Sequence, residues 1–266
     1  MAIAMTTITP ITMALKVHVI RHGETAWSLS GQHTSRTDIA LTEQGERQAK
    51  GLGLRLGSIM FNRIFTSPRQ RALQTFALSR LTPAGEIEPD LTEWDYGDYE
   101  GQRSSDIRKE RPDWNLFRDG CPNGETPTQV CDRADRLITR LRALRGNIAL
   151  FTHGQFGSVL VARWIGLPVI NAENFLLGTA SLSVLSFFFQ IGEGNEQGKV
   201  RILVAGGLEA AVELLLDQLP NAVAPWLDDH AAASFRIFCE VRGFNDLLVP
   251  LGKICGAGRG DGGLFG

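Results

Sequence analysis

Two short apolar segments of this chain each end in a histidine that is followed by glycine. The first segment leads into Arg21 and His22, and the second leads into His153 and Gly154. Imidazole is a good nucleophile near neutral pH, with an unperturbed pKa of about 6.5, and it can accept a phosphoryl group as a covalent intermediate. His22 is therefore a candidate nucleophile for phosphoryl transfer, although a histidine packed in a core would give the same pattern when taken alone.

Arginine side chains are the candidates for holding an anionic group near these histidines. Arg71 follows Ser67 and Pro68, which predict a helix with Ser67 as its N-cap and Pro68 as its first residue. An arginine near the positive end of a helix dipole hints at an anionic ligand nearby, and a solvated arginine is the alternative. Arg21 and Arg71 can each form forked hydrogen bonds with phosphate.

A carboxylate for proton transfer is expected in residues 91–101, where acidic and aromatic side chains alternate. The run contains Glu93, Asp95, Asp98 and Glu100. An exposed acidic loop is the plain interpretation, but the aromatic residues suggest a partly desolvated pocket wall, where the pKa of a glutamate can rise. A leaving alkoxide needs a proton and a later water must lose one, so a single carboxylate acting in turn as acid and base would serve both steps.

Apolar segments predict the strands that carry these motifs. Residues 15–20, 63–66 and 147–152 are short, apolar and bounded by turn residues, so we expect three buried strands. Two strands that each deliver a histidine at their carboxyl end belong to one open parallel sheet, and binding sites form at that edge. Residues 180–190 and 199–204 predict an antiparallel hairpin around a glycine-rich turn.

Helical spacing of apolar residues predicts helices on the faces of this sheet. One helix begins near Thr42 as N-cap, the clearest helix runs over 126–144, and a third covers about 156–165. Three glycines within residues 51–57 superficially resemble a nucleotide-binding loop, but they lie late in a helix, so we reject a phosphate cradle there. The predicted class is α/β, with an open, mostly parallel sheet flanked by helices, a small cap insertion and a terminal antiparallel hairpin.

Local composition divides the chain into three parts. Residues 1–14 lack the basic start and continuous apolar run of a signal peptide, and we expect a disordered lead-in. Residues 15–205 are expected to form the α/β domain, within which the basic and polar segment of about 102–125 is expected to be a cap over a site rather than a core element. Residues 206–266 are expected to be an atypical extension, partly helical and with a glycine-rich end.

Overall charge and cysteine content limit the partners and the compartment. The chain has 266 residues and a formal charge of −2, which gives no general electrostatic reason to bind nucleic acid or an anionic membrane. No run approaches the ~20 apolar residues of a membrane span. The cysteines show no zinc-site spacing, so we expect free thiols in the cytoplasm and no metal site; they are Cys121, Cys131, Cys239 and Cys255.

Four motifs, in this order, resemble the histidine phosphatase superfamily, in its phosphoglycerate-mutase-like branch. They are Arg21-His22-Gly23-Glu24-Thr25, Ser67-Pro68 with Arg71, Glu93 ahead of Tyr96-Gly97 and Glu100-Gly101, and Thr152-His153-Gly154. The resemblance covers residues 15–204. It implies a phosphohistidine enzyme that needs no metal or other cofactor.

The resemblance also implies the roles of single residues. His22 would be the nucleophile, Glu93 the proton donor and acceptor, and Arg21, Arg71 and His153 the groups that hold the phosphate. Ser28, which stands where many relatives have asparagine, is expected to contact phosphate or substrate. The same is expected of Thr34, Ser35, Tyr96, Gly154 and Gln155.

We therefore expect a metal-independent phosphatase that hydrolyses small phosphate monoesters. The run at 93–101 is similar to that of family members acting on sugar phosphates, including sedoheptulose-bisphosphatase-like proteins. One alternative is a phosphoglycerate mutase, but Ser104 falls where mutases of the family carry a lysine. Another is a binding protein that has lost catalysis, which the five retained core residues disfavour. The basic cap could hold a second anionic group or be a solvated face, and a homo-oligomer also stays open.

Overall fold

A computed structural model describes residues 15–192, 195–205 and 238–241. Its strands form a single mixed sheet in the order β3-β2-β4-β1-β5-β6-β7. The strands are β1 (Lys16–Arg21), β2 (Phe61–Thr66), β3 (Gly85–Ile87), β4 (Asn147–Thr152), β5 (Leu182–Gly192), β6 (Asn195–Ala205) and β7 (Phe238–Val241). The pairs β1–β4, β2–β4, β2–β3 and β6–β7 are parallel, whereas β1–β5 and β5–β6 are antiparallel. This confirms the predicted α/β class with its mostly parallel sheet and terminal hairpin.

Seven α-helices connect the described strands. They are α1 (Ala26–Ser30), α2 (Glu43–Leu56), α3 (Gln70–Ser79), α4 (Ser104–Glu110), α5 (Leu116–Asp119), α6 (Pro127–Arg142) and α7 (Gly154–Trp164), with short 3₁₀ turns at Pro89–Leu91, Gly97–Tyr99 and Val169–Asn174. Side-chain capping explains several of the helix starts, including those of α2 and α6. Thr42 accepts from the Gly45 N–H to cap α2, and Thr126 and Gln129 cap α6 reciprocally.

The register of three neighbouring strands determines which residues meet at the carboxyl edge of the sheet. Arg21 of β1 pairs with Thr152 of β4, so the residues that follow them leave the sheet side by side. The His22 N–H donates to the Thr152 carbonyl at 3.0 Å, and the Ser67 N–H donates to the Phe151 carbonyl at 2.9 Å. These pairings place Ser67, His22 and His153 near one another at the carboxyl edge of the sheet.

Both faces of the sheet are covered, because apolar side chains alternate along the central strands. Val17, Val19, Ile148 and Leu150 join the core cluster that contains α6 and α7 residues. Ile20, Ala149 and Phe151 join a second cluster with residues of α2. The continuous apolar run of residues 148–151 in β4 is typical of such two-sided burial.

The structure corrects three local expectations. Helix α3 begins at Gln70 with Arg69 as N-cap, so the predicted N-cap role of Ser67 is wrong. The hairpin turn is shorter than expected, since β5 reaches Gly192 and β6 begins at Asn195. The cap segment is also part of the core, because its apolar side chains are buried in the main cluster; these are Ile107, Trp114, Leu116, Phe117 and Cys121.

The predicted lead-in at 1–14 lies outside the described residues, as does most of the predicted extension. Within that extension, Phe238–Val241 forms β7, which pairs in parallel with β6. None of the helices in the described ranges has the length and apolar character required to cross a bilayer.

Candidate active site

Two buried imidazole rings stand at the carboxyl edge of the sheet, one at the end of each central strand. The His22 and His153 ring centroids are 5.2 Å apart, and the rings are inclined at 63°. His22 is 5% exposed and His153 is fully buried. The pairing predicted from the two His-Gly motifs is therefore present as a direct ring contact.

Hydrogen bonding fixes the tautomer of His22. Its Nδ1 lies 2.7 Å from the Gly23 carbonyl oxygen, and a carbonyl oxygen can only accept, so Nδ1 carries the proton. Burial, with the nearby Arg21 and Arg71 charges, holds the pKa of His22 well below its usual range. The ring is therefore neutral near pH 7 and its Nε2 lone pair is available for attack.

Arg71 and His153 form a second fixed unit. Arg71 is fully buried, and its Nε donates to His153 Nδ1 at 3.1 Å. Its two Nη atoms donate to the backbone carbonyls of Thr37, Thr34 and Ser35. The predicted contact residues Thr34 and Ser35 thus hold the arginine through their main-chain oxygens.

Ser67 is the third member of the unit formed by Arg71 and His153. It was not among the site residues predicted from the sequence. Since His153 Nδ1 accepts from arginine, the proton of the neutral ring sits on Nε2, which donates to Ser67 Oγ at 2.7 Å. Burial and the charge of Arg71 keep the pKa of His153 well below normal, which favours this neutral form. The available sequence signal was the position of Ser67 directly after strand β2, at the same edge as both histidines.

The Arg21 guanidinium lies close to Gly154, the first residue of helix α7. Its Nη1 donates to the Leu177 carbonyl, and its Nε is buried without a hydrogen-bond partner among the described residues. A Cβ on Gly154 would lie 3.2 Å from the Arg21 Cζ, tighter than an ordinary contact. The absence of a side chain at Gly154 therefore leaves room for the Arg21 guanidinium.

Glu93 places its carboxylate on the first turn of α7. Oε1 accepts from the N–H groups of Phe156 at 2.7 Å and Trp94 at 2.9 Å, and Oε2 accepts from the N–H of Gln155 at 3.0 Å. These donors suit an anion, because the free N–H groups of a helix start carry partial positive charge. The predicted residue Gln155 contributes here through its backbone.

Two further predicted contact residues have well-defined partners. Tyr96 is buried and stacks on His33 with ring centroids 4.4 Å apart, and burial, with the charge of Glu93, raises the pKa of its hydroxyl well above normal. Ser28 lies in the capping box of α1, where its Oγ accepts from the Thr25 N–H at 2.9 Å. Its hydroxyl is thus engaged locally.

Close backbone approach, rather than an unusual backbone angle, explains the glycine that follows His22. Gly23 is absent from the positive-φ residues of the described part. A Cβ on Gly23 would lie 2.5 Å from the Gly45 carbonyl oxygen, and a Cβ on Gly45 would lie 2.1 Å from that of Glu24. The constraint that requires glycine at position 23 is therefore its contact with helix α2.

Basic side chains of the cap segment bind mostly to their own neighbours, which favours the solvated-face alternative for this segment. Arg108 donates to the Trp114 carbonyl, and Arg111 donates to the Tyr99 hydroxyl. Ion pairs also join Lys109 to Asp106 and Arg118 to Asp119.

Together these groups are suited to moving a phosphoryl group. A neutral imidazole can attack phosphorus, two arginines can stabilise the charge of the equatorial oxygens, and a carboxylate beside them can exchange protons. In the part of the chain that the structure describes, no cluster of three His, Cys, Asp or Glu side chains is arranged to hold a metal ion. The fold and the site therefore define an α/β enzyme that acts on phosphate esters.

The chain belongs to the histidine phosphatase superfamily (branch 1), whose family model matches residues 17–191. It is 40% identical over 173 residues to an acid phosphatase of Mycobacterium tuberculosis, covering 64% of this chain and 85% of the relative. It is 39% identical over 189 residues to a sedoheptulose 1,7-bisphosphatase of Saccharomyces cerevisiae, covering 57% and 68%. These relatives confirm the predicted family and the class of phosphoric monoester hydrolase.

Solved structures agree with this membership. A structure from Mycobacterium tuberculosis, described as that of an open reading frame, superposes with a TM-score of 0.62 at 36% identity, covering 69% of this chain and 95% of that one. The alpha-ribazole phosphatase from Shigella flexneri gives a TM-score of 0.58 at 30% identity, covering 64% and 90%.

Proposed function

We propose that this protein hydrolyses small phosphate monoesters, without a metal ion, through a phosphohistidine on His22. The observation that carries the proposal is the hydrogen bond from His22 Nδ1 to the Gly23 carbonyl, which leaves Nε2 unprotonated in a buried site. A nucleophile prepared in this way can attack phosphorus without first losing a proton.

The reaction has two displacements. In the first, His22 Nε2 bonds to phosphorus as the ester P–O bond breaks, and Glu93 supplies the proton that the leaving oxygen takes up. In the second, water attacks phosphorus, the P–N bond breaks, and Glu93 takes the proton that the water loses. Arg21 and Arg71 stabilise the charge on the phosphoryl oxygens in both steps.

His153 acts in this scheme as a neutral hydrogen-bond donor rather than a cation. Its Nδ1 is occupied by the Arg71 Nε–H, so the ring is held in the tautomer that donates from Nε2. That N–H is directed at the Ser67 hydroxyl, and a neutral ring beside the nucleophile does not repel the adjacent arginines.

The central test is a chelator-resistant turnover assay with two histidine variants. We expect phosphate release from p-nitrophenyl phosphate in excess EDTA, and loss of that release by about 10³-fold or more in His22→Gln. His18→Gln is the matched control, because His18 is also buried in β1 but bonds to Asn147. Full loss of activity in EDTA would refute the metal-independent reaction.

A phosphoglycerate mutase is the second candidate, since a probable phosphoglycerate mutase of Photorhabdus laumondii is 30% identical over 185 residues. Incubation with 3-phosphoglycerate and bisphosphoglycerate separates the two. Phosphate release favours the phosphatase, isomerisation favours the mutase, and inertness with every phosphate ester favours a binding protein.

Sugar phosphates are the substrate class that we propose to test first. The support is the yeast relative named sedoheptulose 1,7-bisphosphatase, together with the motif at 93–101. A panel of mono- and bisphosphorylated sugars, compared by kcat/KM, tests the class. Equal rates on all esters would argue for a general acid phosphatase, the name that the mycobacterial relative carries.

We also propose a cytoplasmic location, supported by the free thiols of Cys121 and Cys131, and a catalytic unit formed by residues 15–205. Cell fractionation tests the first. Removal of residues 206–266 tests the second, since the catalytic unit predicts retained activity. Light scattering of the full chain decides whether it forms a homo-oligomer.

A further inference from the structure

Three arginines on one face of helix α6 hold the segment that leads to Glu93. Arg140 forms ion pairs with Glu88 at 2.8 Å and Asp90 at 2.9 Å, and Arg136 contacts Asp90 at 3.3 Å. Arg133 lies on the same face of α6, about one turn before Arg136 and nearer the site. It differs from the other two because its side chain is 9% exposed, against 59% for Arg136 and 48% for Arg140.

Arg133 binds the main-chain carbonyls of Glu93 and of two residues before it. Its Nη1 donates to the carbonyls of Asp90 at 2.9 Å and Thr92 at 2.7 Å, and its Nη2 reaches the Glu93 carbonyl at 3.4 Å. The same guanidinium forms a fork with Glu125, with Nε to Oε1 at 2.9 Å and Nη2 to Oε2 at 2.7 Å. A planar fork of this kind fixes orientation as well as charge.

Glu125 extends the contact to the residues that follow Glu93. Its Oε2 accepts from the Asp95 N–H at 2.9 Å, and its main-chain carbonyl accepts from the Trp94 indole N–H at 3.0 Å. The Arg133–Glu125 pair therefore holds the chain both before and after Glu93.

Arg133 also supports the other side of the carboxylate. Its guanidinium lies 4.2 Å from the centre of the Phe156 ring. The Phe156 N–H is the donor that holds Glu93 Oε1 at 2.7 Å. One buried guanidinium thus contacts both the backbone that carries Glu93 and the residue that binds its carboxylate.

We propose that Arg133 is a positioning residue that sets the Glu93 carboxyl group for proton transfer to the leaving oxygen. This inference rests on the proposed role of Glu93. Arg133 touches no reacting atom in this scheme, and its effect passes through the backbone of 90–93 and through Phe156. Buried ion pairs contribute little net stability, so a fork that determines geometry is the stronger explanation for an arginine here.

The test compares two substrates that differ in leaving group. Phenyl phosphate releases a more basic phenolate than p-nitrophenyl phosphate, so its cleavage depends more on a correctly placed acid. Single-turnover formation of phosphohistidine is measured by rapid mixing and alkaline quench. In Arg133→Lys, which keeps the charge and loses the fork, we expect a loss of about 10–100-fold with phenyl phosphate and about 3-fold or less with p-nitrophenyl phosphate.

Arg140→Lys is the matched control. It alters an exposed arginine of the same helix that contacts the same segment, and both rates should stay within about 2-fold of the unmodified protein. Glu93→Gln is the reference for complete loss of the acid, with a larger leaving-group difference of about 10²-fold or more.

The outcomes separate the inference from the proposed function. An equal loss with both substrates in Arg133→Lys, while Glu93→Gln distinguishes them, would overturn the positioning role and leave the Glu93 role intact. An equal loss in Glu93→Gln would overturn the proton-transfer role itself. If Arg133→Lys fails to fold by circular dichroism, Glu125→Gln weakens the same fork from its other end, and the same substrate difference is required of it.

Discussion

Replacing Gly45 by alanine tests whether the contact between helix α2 and the loop after His22 holds the site together. A Cβ at this position would lie 2.1 Å from the Glu24 carbonyl oxygen and 2.9 Å from the Glu24 nitrogen. Both are backbone atoms, and Thr42 ties this loop to the helix through its N–H and hydroxyl. The helix and the loop must therefore separate by about 1 Å to relieve the overlap.

Two opposing contributions determine how much Gly45→Ala lowers the free energy of unfolding. Overpacking costs about 1–3 kcal/mol, and the upper end applies because no flexible side chain can yield. Alanine gains about 1 kcal/mol over glycine within a helix. The net loss for Gly45→Ala is therefore about 2 kcal/mol, which lowers Tm by about 4–8 °C in a chain of this size.

Gly51→Ala is the matched control in the same helix. A Cβ there meets no atom within 4 Å, so only the gain in helix propensity of about 1 kcal/mol remains. Thermal unfolding by circular dichroism measures both variants, and turnover of p-nitrophenyl phosphate measures the site. We expect kcat of Gly45→Ala to fall about 10-fold, since the shift displaces the loop that carries the Gly23 carbonyl. Equal Tm values for the two variants would refute the contact argument.

Three further changes test the site. Ser67→Ala removes the acceptor of the His153 Nε2–H, so we expect stability to fall by about 1–2 kcal/mol in urea titration and kcat to fall about 10-fold; unchanged kcat would remove Ser67 from the site. Arg71→Lys loses the planar guanidinium, with its bond to His153 and its bonds to backbone carbonyls, so kcat/KM should fall about 10²-fold or more in steady-state assays. The exposed Arg47→Lys should change it by about 2-fold or less. The buried neutral histidines predict two responses to pH. Because the folded pKa of His22 and His153 lies well below normal, the unfolded chain binds more protons below about pH 6.5, so Tm should fall as the pH drops through that value. By the same reasoning kcat should stay level from pH 7 to 6, and a decline centred at 6.5 would contradict a neutral His22.

The sequence was sufficient to predict the sheet and the meeting of its two histidines. Parallel strands bring their carboxyl ends to one edge, so two apolar runs that each end in His-Gly had to place His22 and His153 together. Helices α2 and α6 were predictable because their caps and apolar periodicity are local signals.

Features that depend on distant partners were not predictable. The steric requirement for glycine at position 23 was not predictable, because its partner Gly45 is unknown until the helix is placed. Ser67 looked like an N-cap, since the sequence does not show that His153 Nε2 lies 2.7 Å from its hydroxyl. The role of Arg133 was not predictable either, because its acceptors include carbonyls some 40 positions away.

The proton on His22 Nδ1 has a consequence for detecting the enzyme in cells. With Nδ1 occupied by the Gly23 carbonyl, only Nε2 can carry the phosphoryl group, so the intermediate would be the tele isomer, 3-phosphohistidine. Antibodies that distinguish the two isomers should therefore recognise the trapped chain with the 3-phosphohistidine reagent alone. The P–N bond breaks in acid, so extracts prepared under alkaline conditions would preserve this mark and report the fraction of the protein caught between its two displacements.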